Sequence, residues 1–179
     1  MENKIEDATQ VLEYMSHTID DFRGFFSPKK EKERFYLHEL IENILLISSN
    51  MFKNNNIEIV CDIDKNIVLN SYLNELQQVI LNILKNAKDA LVENNIKSPY
   101  IKIEAKVDEK NIYLSITDNA GGIKTEPINK IFEAYFTTKP QNQGTGIGLY
   151  MSKMILEKSM KGKLFVENLE DKARFTIKL

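Results

Sequence analysis

Cysteine and histidine are nearly absent from this sequence: Cys61 stands alone, and His17 and His38 are the two histidines. A single thiol forms no internal disulfide, so nothing here asks for an oxidising compartment. One Cys and two His also make too poor a set for a structural zinc site. No apolar run approaches the roughly 18 residues of a membrane-spanning helix. A basic excess is missing as well. The 24 Lys and Arg against 26 Asp and Glu leave a formal charge of −2, which speaks against a nucleic-acid partner. Met1 to Gln10 are polar and acidic where a signal peptide would be basic and then apolar. Internal repeats and low-complexity tracts are absent too. The chain reads as soluble and cytoplasmic. Its 179 residues, 42% hydrophobic and 28% charged, suit one domain with a short appendage and a buried core.

The appendage has its own period. Ile5, Ala8, Leu12, Met15, Ile19, Phe22 and Phe26 fall alternately three and four apart, an a/d seam on one side of a long helix. Such a seam needs a partner, either a second helix or the body of its own domain. Pro28 stops the helix, and residues 28–33 read as a charged linker. From Arg34 to Leu179 strands and helices interleave. A helix is expected over His38 to Asn54, and a half-buried strand at Ile57, Ile59 and Cys61. A longer helix is expected from Tyr72 to Asn94 on the stripe Leu76, Val79, Ile80, Ile83, Leu84, Ala87, Ala90 and Leu91. Two strands follow, marked by Ile101 to Val107 and Ile112 to Ile116. A short helix between glycine-rich loops, a helix over Gly146 to Ser159 and a closing strand through Phe175, Ile177 and Leu179 complete the chain. The pattern predicts an α/β two-layer sandwich, a mixed sheet covered by helices on one face and preceded by the long N-terminal helix.

Three places carry polar residues that a core does not need. On the long helix, Gln78, Asn82 and Asn86 recur every fourth residue, and Asp89 follows on nearly the same side. Asn gains little in mid-helix. Its carbonyl suits a hard cation such as magnesium, although isolated Asn residues on a solvated face would look the same. Next, Ile112, Leu114, Ile116 and Asp118 share one strand face, so the core side ends in a carboxylate at a glycine turn, Asp118-Asn-Ala-Gly-Gly-Ile123. A buried acid needs a donor, which the adenine amine would supply. An ordinary Asp-Asn turn with Gly121 at positive φ is the other reading. Third, Gly144-Thr-Gly-Ile-Gly-Leu149 follows Lys139 and opens a helix. Alternate glycines let backbone amides face one anion, and the helix start adds its dipole. No Gly-Lys-Ser or Gly-Lys-Thr follows, and no strand leads directly in, so neither a P-loop nor a dinucleotide fingerprint is present.

Taken in order, these segments resemble the four boxes of the GHKL (Bergerat) superfamily. Asn82-Ile-Leu-Lys-Asn-Ala-Lys-Asp-Ala90 resembles the N box, Asp118 to Ile123 the first glycine box, Phe132 to Lys139 the F box, and Gly144 to Leu149 the second glycine box. The resemblance implies that the chain binds ATP with Mg2+. It gives Asn86 the magnesium, Asp118 the adenine amine, and Gly122 a place under the nucleotide. Phe132 and Phe136 would pack beneath the ATP lid, and Gly144, Gly146 and Gly148 would face the phosphates. Asn82, Asp89, Ile123, Thr138, Lys139, Thr145, Ile147 and Leu149 complete the implied nucleotide site. One departure stands out: Ala120 replaces the first glycine of the usual Asp-x-Gly-x-Gly. Its methyl is expected to crowd the base or restrict the turn and so weaken binding.

Position 82 separates the superfamily's branches. The gyrase, mismatch-repair and chaperone ATPases carry there a Glu that activates water, whereas histidine kinases carry Asn. With Asn82 in the catalytic place, water attack lacks a base and ATP persists until a histidine imidazole arrives. The chain therefore resembles the catalytic domain of a two-component sensor histidine kinase, with residues 1–27 as the second helix of its dimerisation hairpin. Implied partners are that hairpin, a response regulator receiver domain, and a second copy in a homodimer. No phosphoacceptor is expected in this chain. His17 is followed by Thr18-Ile19 with no proline before Pro28, and His38 reads as a surface or capping residue. Two other readings stay open: a GHKL serine kinase of the anti-sigma type, and a degenerate nucleotide-binding module.

Overall fold

The computed structural model describes residues 31–140 and 144–179. The seam expected over residues 1–27, with His17, lies outside the described residues. The first strand, β1 (Glu33–Tyr36), pairs antiparallel with β3 (Val68–Ser71), bringing Phe35 opposite Leu69. Neither strand is visible in the sequence, because four residues are too few to display an alternation. Helix α1 (Leu37–Ile47) buries Leu37, Leu40, Ile41 and Ile44. The single helix expected over His38 to Asn54 breaks at Ser48, whose Oγ donates to the Ile44 carbonyl at 2.6 Å. That back-bond competes with the helix ladder, and a separate short helix, α2 (Ser49–Lys53), follows. His38 caps nothing; its ring meets Tyr36 edge-on at 5.7 Å.

β2 (Glu58–Asp62) is more exposed than the alternation suggested, because it lies at the sheet edge and pairs with one neighbour only. Helix α3 (Leu73–Glu93) matches the expected span to one residue at either end. Leu76, Val79, Ile80, Ile83 and Leu84 on its stripe have no solvent exposure. β4 (Tyr100–Val107) and β5 (Ile112–Asp118) follow, then a 3-10 turn, Ile128–Phe132. Helix α4 (Gly148–Met154) begins two residues later than Gly146 and passes into a π-helical turn, Ile155–Ser159. β6 (Lys163–Leu169) and β7 (Lys172–Lys178) close the chain.

The five-stranded sheet runs β2-β4-β5-β7-β6, with β2 parallel to β4 and every other pair antiparallel. Register places Cys61, Ile103, Ile116, Phe175 and Val166 in one row, and Leu114, Ile177 and Leu164 in the next. Apart from Cys61, which is exposed on the edge strand, these rows pack in the same core as the stripes of α1 and α3. The opposite face carries Lys102, Thr117, Arg174 and Glu167, with Arg174 Nε donating to Thr117 Oγ1 at 3.2 Å. One apolar face under helices and one polar face is the expected mixed α/β arrangement. Among the described residues no helix is long and apolar enough to cross a membrane.

Candidate nucleotide site

The core face of β5 ends in an acid. Leu114, Ile116 and Asp118 are 0%, 1% and 4% exposed, and Asp118 sits in register between Ile101 and Ala173. Burial among apolar neighbours pushes its carboxyl up to about 6, although the Ala120 amide, donating to Oδ1 at 3.0 Å, pulls the other way. The turn beyond is held from three directions. Asn94 Nδ2, just past the end of α3, donates to the Ala120 carbonyl at 2.8 Å. The Gly121 amide donates to the Asp171 carbonyl at 2.8 Å. The Asn168 side chain grips both backbone groups of Ile123, each at 2.8 Å. Positive φ falls on Gly121 and Gly122 rather than on Ala120. The expected restriction of the turn by Ala120 therefore does not arise, and its methyl is buried in the core.

Asn168, Asn94 and Asp171 carried no signal in the sequence, since each reaches the turn from 26 or more residues away. Asn168→Ala is expected to free the Ile123 backbone and weaken ATP about three- to tenfold, the worth of one or two net hydrogen bonds. Calorimetric titration checks this; an unchanged affinity would mean that Asn94 and Asp171 alone suffice.

The polar stripe of α3 faces the other side of the site. Asn82 Nδ2 donates to Ser152 Oγ at 2.9 Å. The half-buried Asn86 amide makes no hydrogen bond among the described residues. Asp89 is paired with Lys88 and with Lys139, which ties the end of the F box to the helix. Burial would raise the Asp89 carboxyl, but hydrogen bonds from Lys139 and Lys88 outweigh it and hold the group below its ordinary value.

Between these walls lie the lid's two ends. Phe132 is buried and meets Phe175 edge-on at 6.4 Å, with the Lys153 ammonium 5.1 Å from its ring centroid. Its ring therefore belongs to the hydrophobic core. Phe136 is half-buried against the same core. The Tyr135 amide donates to the Gly146 carbonyl at 3.0 Å, and a Cβ on Gly144 would lie 2.7 Å from Thr137 Oγ1, so the two ends run side by side. Ile147 is buried and Leu149 half-buried; the Ile147 amide approaches Thr145 Oγ1 at 3.4 Å, while Thr138 is exposed. A Cβ on Gly148 would fall 2.4 Å from Asn82 Oδ1, which sets the second glycine box directly against the N box.

The residues fit a magnesium ion carried in on phosphates. Among the described residues the Asn86 carbonyl has no hydrogen-bond partner, and it is a neutral oxygen of the kind a hard cation takes. No group of three or more His, Cys, Asp or Glu among the described residues could hold a metal by itself.

The family model for "Histidine kinase-, DNA gyrase B-, and HSP90-like ATPase" matches residues 72–179, from the start of α3 to the last residue. The chain belongs to this ATP-binding family. Two-component sensor PprA of Pseudomonas aeruginosa is 32% identical over 162 residues, which cover 87% of this chain and 18% of that protein. The crystallised catalytic domain of histidine kinase ThkA is 27% identical, with a TM-score of 0.73 over 83% of this chain and 95% of that one. ThkA in complex with response regulator protein TrrA has the same fold, at 24% identity and a TM-score of 0.73, covering 99% of this chain and 49% of that one. The chain spans only 18% and 20% of the first curated relatives it matches. Within the family it is a catalytic domain of the sensor histidine kinase type.

Proposed function

We propose that this domain holds ATP with Mg2+ between α3 and the lid and directs the γ-phosphoryl to a histidine on a helical hairpin of its parent kinase. The observation that carries the proposal is the environment of position 82. An amide stands where water-activating members of the family place a carboxylate, and it is tied to Ser152. The nearest acid along the stripe, Asp89, is paired with two lysines and held ionised, which makes it a weak base. Water attack is therefore unassisted, whereas a neutral imidazole brings its own lone pair. Asp118 accepts the adenine amine, the backbone of Gly144 to Gly148 lies along the phosphates, and Asn86 offers its carbonyl to the metal. Bound magnesium would neutralise charge on the β- and γ-phosphates. The parent is a homodimer on this reading, and a response regulator receiver domain takes the phosphoryl group onward.

Mixing the chain with labelled ATP, magnesium and the parent's hairpin should place acid-labile phosphate on the hairpin. Acid-stable label on a protein partner would point to serine transfer, and tight binding without transfer to a bare nucleotide module; either overturns the proposal. Asn86→Ala should weaken ATP about tenfold in magnesium and far less in EDTA, because only the metal contact is lost. Equal weakening in both buffers would remove Asn86 from the metal.

A further inference from the structure

Ser152 lies outside all four motifs and has no solvent exposure, yet it carries a hydroxyl. That hydroxyl accepts the Asn82 Nδ2 hydrogen bond across 70 residues of sequence. One turn earlier on α4, Gly148 stands against the other end of the same amide, with its would-be Cβ 2.4 Å from Oδ1. Positions 148 and 152 share one face of α4, so the helix touches the Asn82 amide at both ends. A free Asn amide has a donor end and an acceptor end and two rotatable bonds between them and the backbone. Held on both sides, it keeps a single orientation.

We propose that Ser152 is a positioning residue that fixes the orientation of the Asn82 amide for phosphoryl transfer. This deepens the histidine kinase reading above and rests on it. Ser152 touches neither nucleotide nor acceptor and acts through Asn82 alone. Because α4 follows directly on the second glycine box, the same bond ties the far end of the lid to α3. Seating the lid and orienting the amide are thereby one event.

The test is a double-mutant cycle in the full chain, read as single-turnover transfer to the parent's hairpin and as Mg-ATP affinity. Ser152→Ala should slow transfer about tenfold while changing the KM for ATP by no more than about twofold. Asn82→Ala should slow it about a hundredfold. The double variant should match Asn82→Ala, since the hydroxyl has nothing left to orient. Multiplying effects, or an unchanged rate in Ser152→Ala, overturn the proposal. If Ser152→Ala does not fold, Ser152→Cys, which keeps a weak acceptor in similar volume, enters the same cycle. If the unmodified chain binds Mg-ATP but transfers nothing, the transfer reading has failed. The Asn82 side-chain amide NMR signals of the Mg-ATP complex then decide: an amide fixed in the unmodified chain and mobile in Ser152→Ala supports the positioning role, and an amide equally fixed in both refutes it.

Discussion

Replacing Asp118 by Asn is expected to abolish ATP binding and, at neutral pH, to make the fold more stable. The two effects have one cause. Asp118 is 4% exposed and has apolar neighbours in register on both sides, and burial lifts its carboxyl from 3.8 to about 6. A group whose pKa is raised on folding favours the folded state while both states are protonated. That contribution is complete below about pH 4 and is lost as pH rises through 6. Above that the buried carboxylate costs about 3 kcal/mol, from roughly two pKa units at about 1.4 kcal/mol each. Asn cannot ionise and escapes this cost, while its carbonyl still accepts from the Ala120 amide. The melting temperature should rise by roughly 6 to 12 °C at pH 7.5, less whatever the new amide protons lose by burial. Below pH 4 the two proteins should melt together.

Affinity moves the other way. An ionised acceptor for the adenine amine becomes a group that presents a donor, and affinity should fall about a hundredfold or more. In the unmodified chain, ATP affinity with saturating magnesium should be flat above pH 7 and fall about tenfold per unit below pH 6, because Oδ1 already accepts from the Ala120 amide and a proton on Oδ2 turns the remaining oxygen into a donor. The variant's residual binding should lack that step. Comparable affinity in Asp118→Asn, or no pH step in the unmodified chain, would remove Asp118 from the adenine site.

What could be read in advance follows from the range of each interaction. Helix α3 repeats its apolar period long enough to fix both ends within one residue, and the same period exposed the stripe Asn82, Asn86 and Asp89. The parity of β5 located Asp118 on the core face before any coordinates. Shorter or mixed patterns failed. β1 and β3 have four residues each, and in β6 the run Leu164-Phe-Val166 hides its alternation because Phe165 is apolar yet 47% exposed. Long-range pairings were invisible for a different reason. Asn168, Asp171 and Ser152 are ordinary residues in ordinary segments, and only the sheet register and the docking of α4 bring them to the turn and to the N box. The sequence therefore disclosed the polar groups proposed to meet the nucleotide and concealed those that hold them.

Gly146→Ala is expected to damage both nucleotide binding and stability far more than Gly121→Ala, although both glycines have positive φ. At Gly121, φ is 95° and nothing lies within 4 Å of an added Cβ. Alanine there carries only backbone strain, about 1–2 kcal/mol, and a small loss of affinity. At Gly146, φ is 66° and the new Cβ would lie 2.4 Å from the Tyr135 carbonyl carbon, 2.7 Å from its oxygen and 2.8 Å from the Phe136 nitrogen. All three are backbone atoms, so no rotamer relieves the overlap. The two strands of chain must separate, and the first bond lost is that from the Tyr135 amide to the Gly146 carbonyl. Separation moves Lys139 away from Asp89 on one side and Gly148 away from Asn82 on the other, so every link between lid and α3 loosens together. Mg-ATP affinity should fall about a hundredfold or more, and stability by about 3 kcal/mol or more as strain and overpacking add. Gly121→Ala should keep affinity within about tenfold. Calorimetry and denaturant unfolding of the two variants side by side make the comparison. Equal losses would mean that the lid's two ends are not packed against each other, and that strain at positive φ is the whole effect.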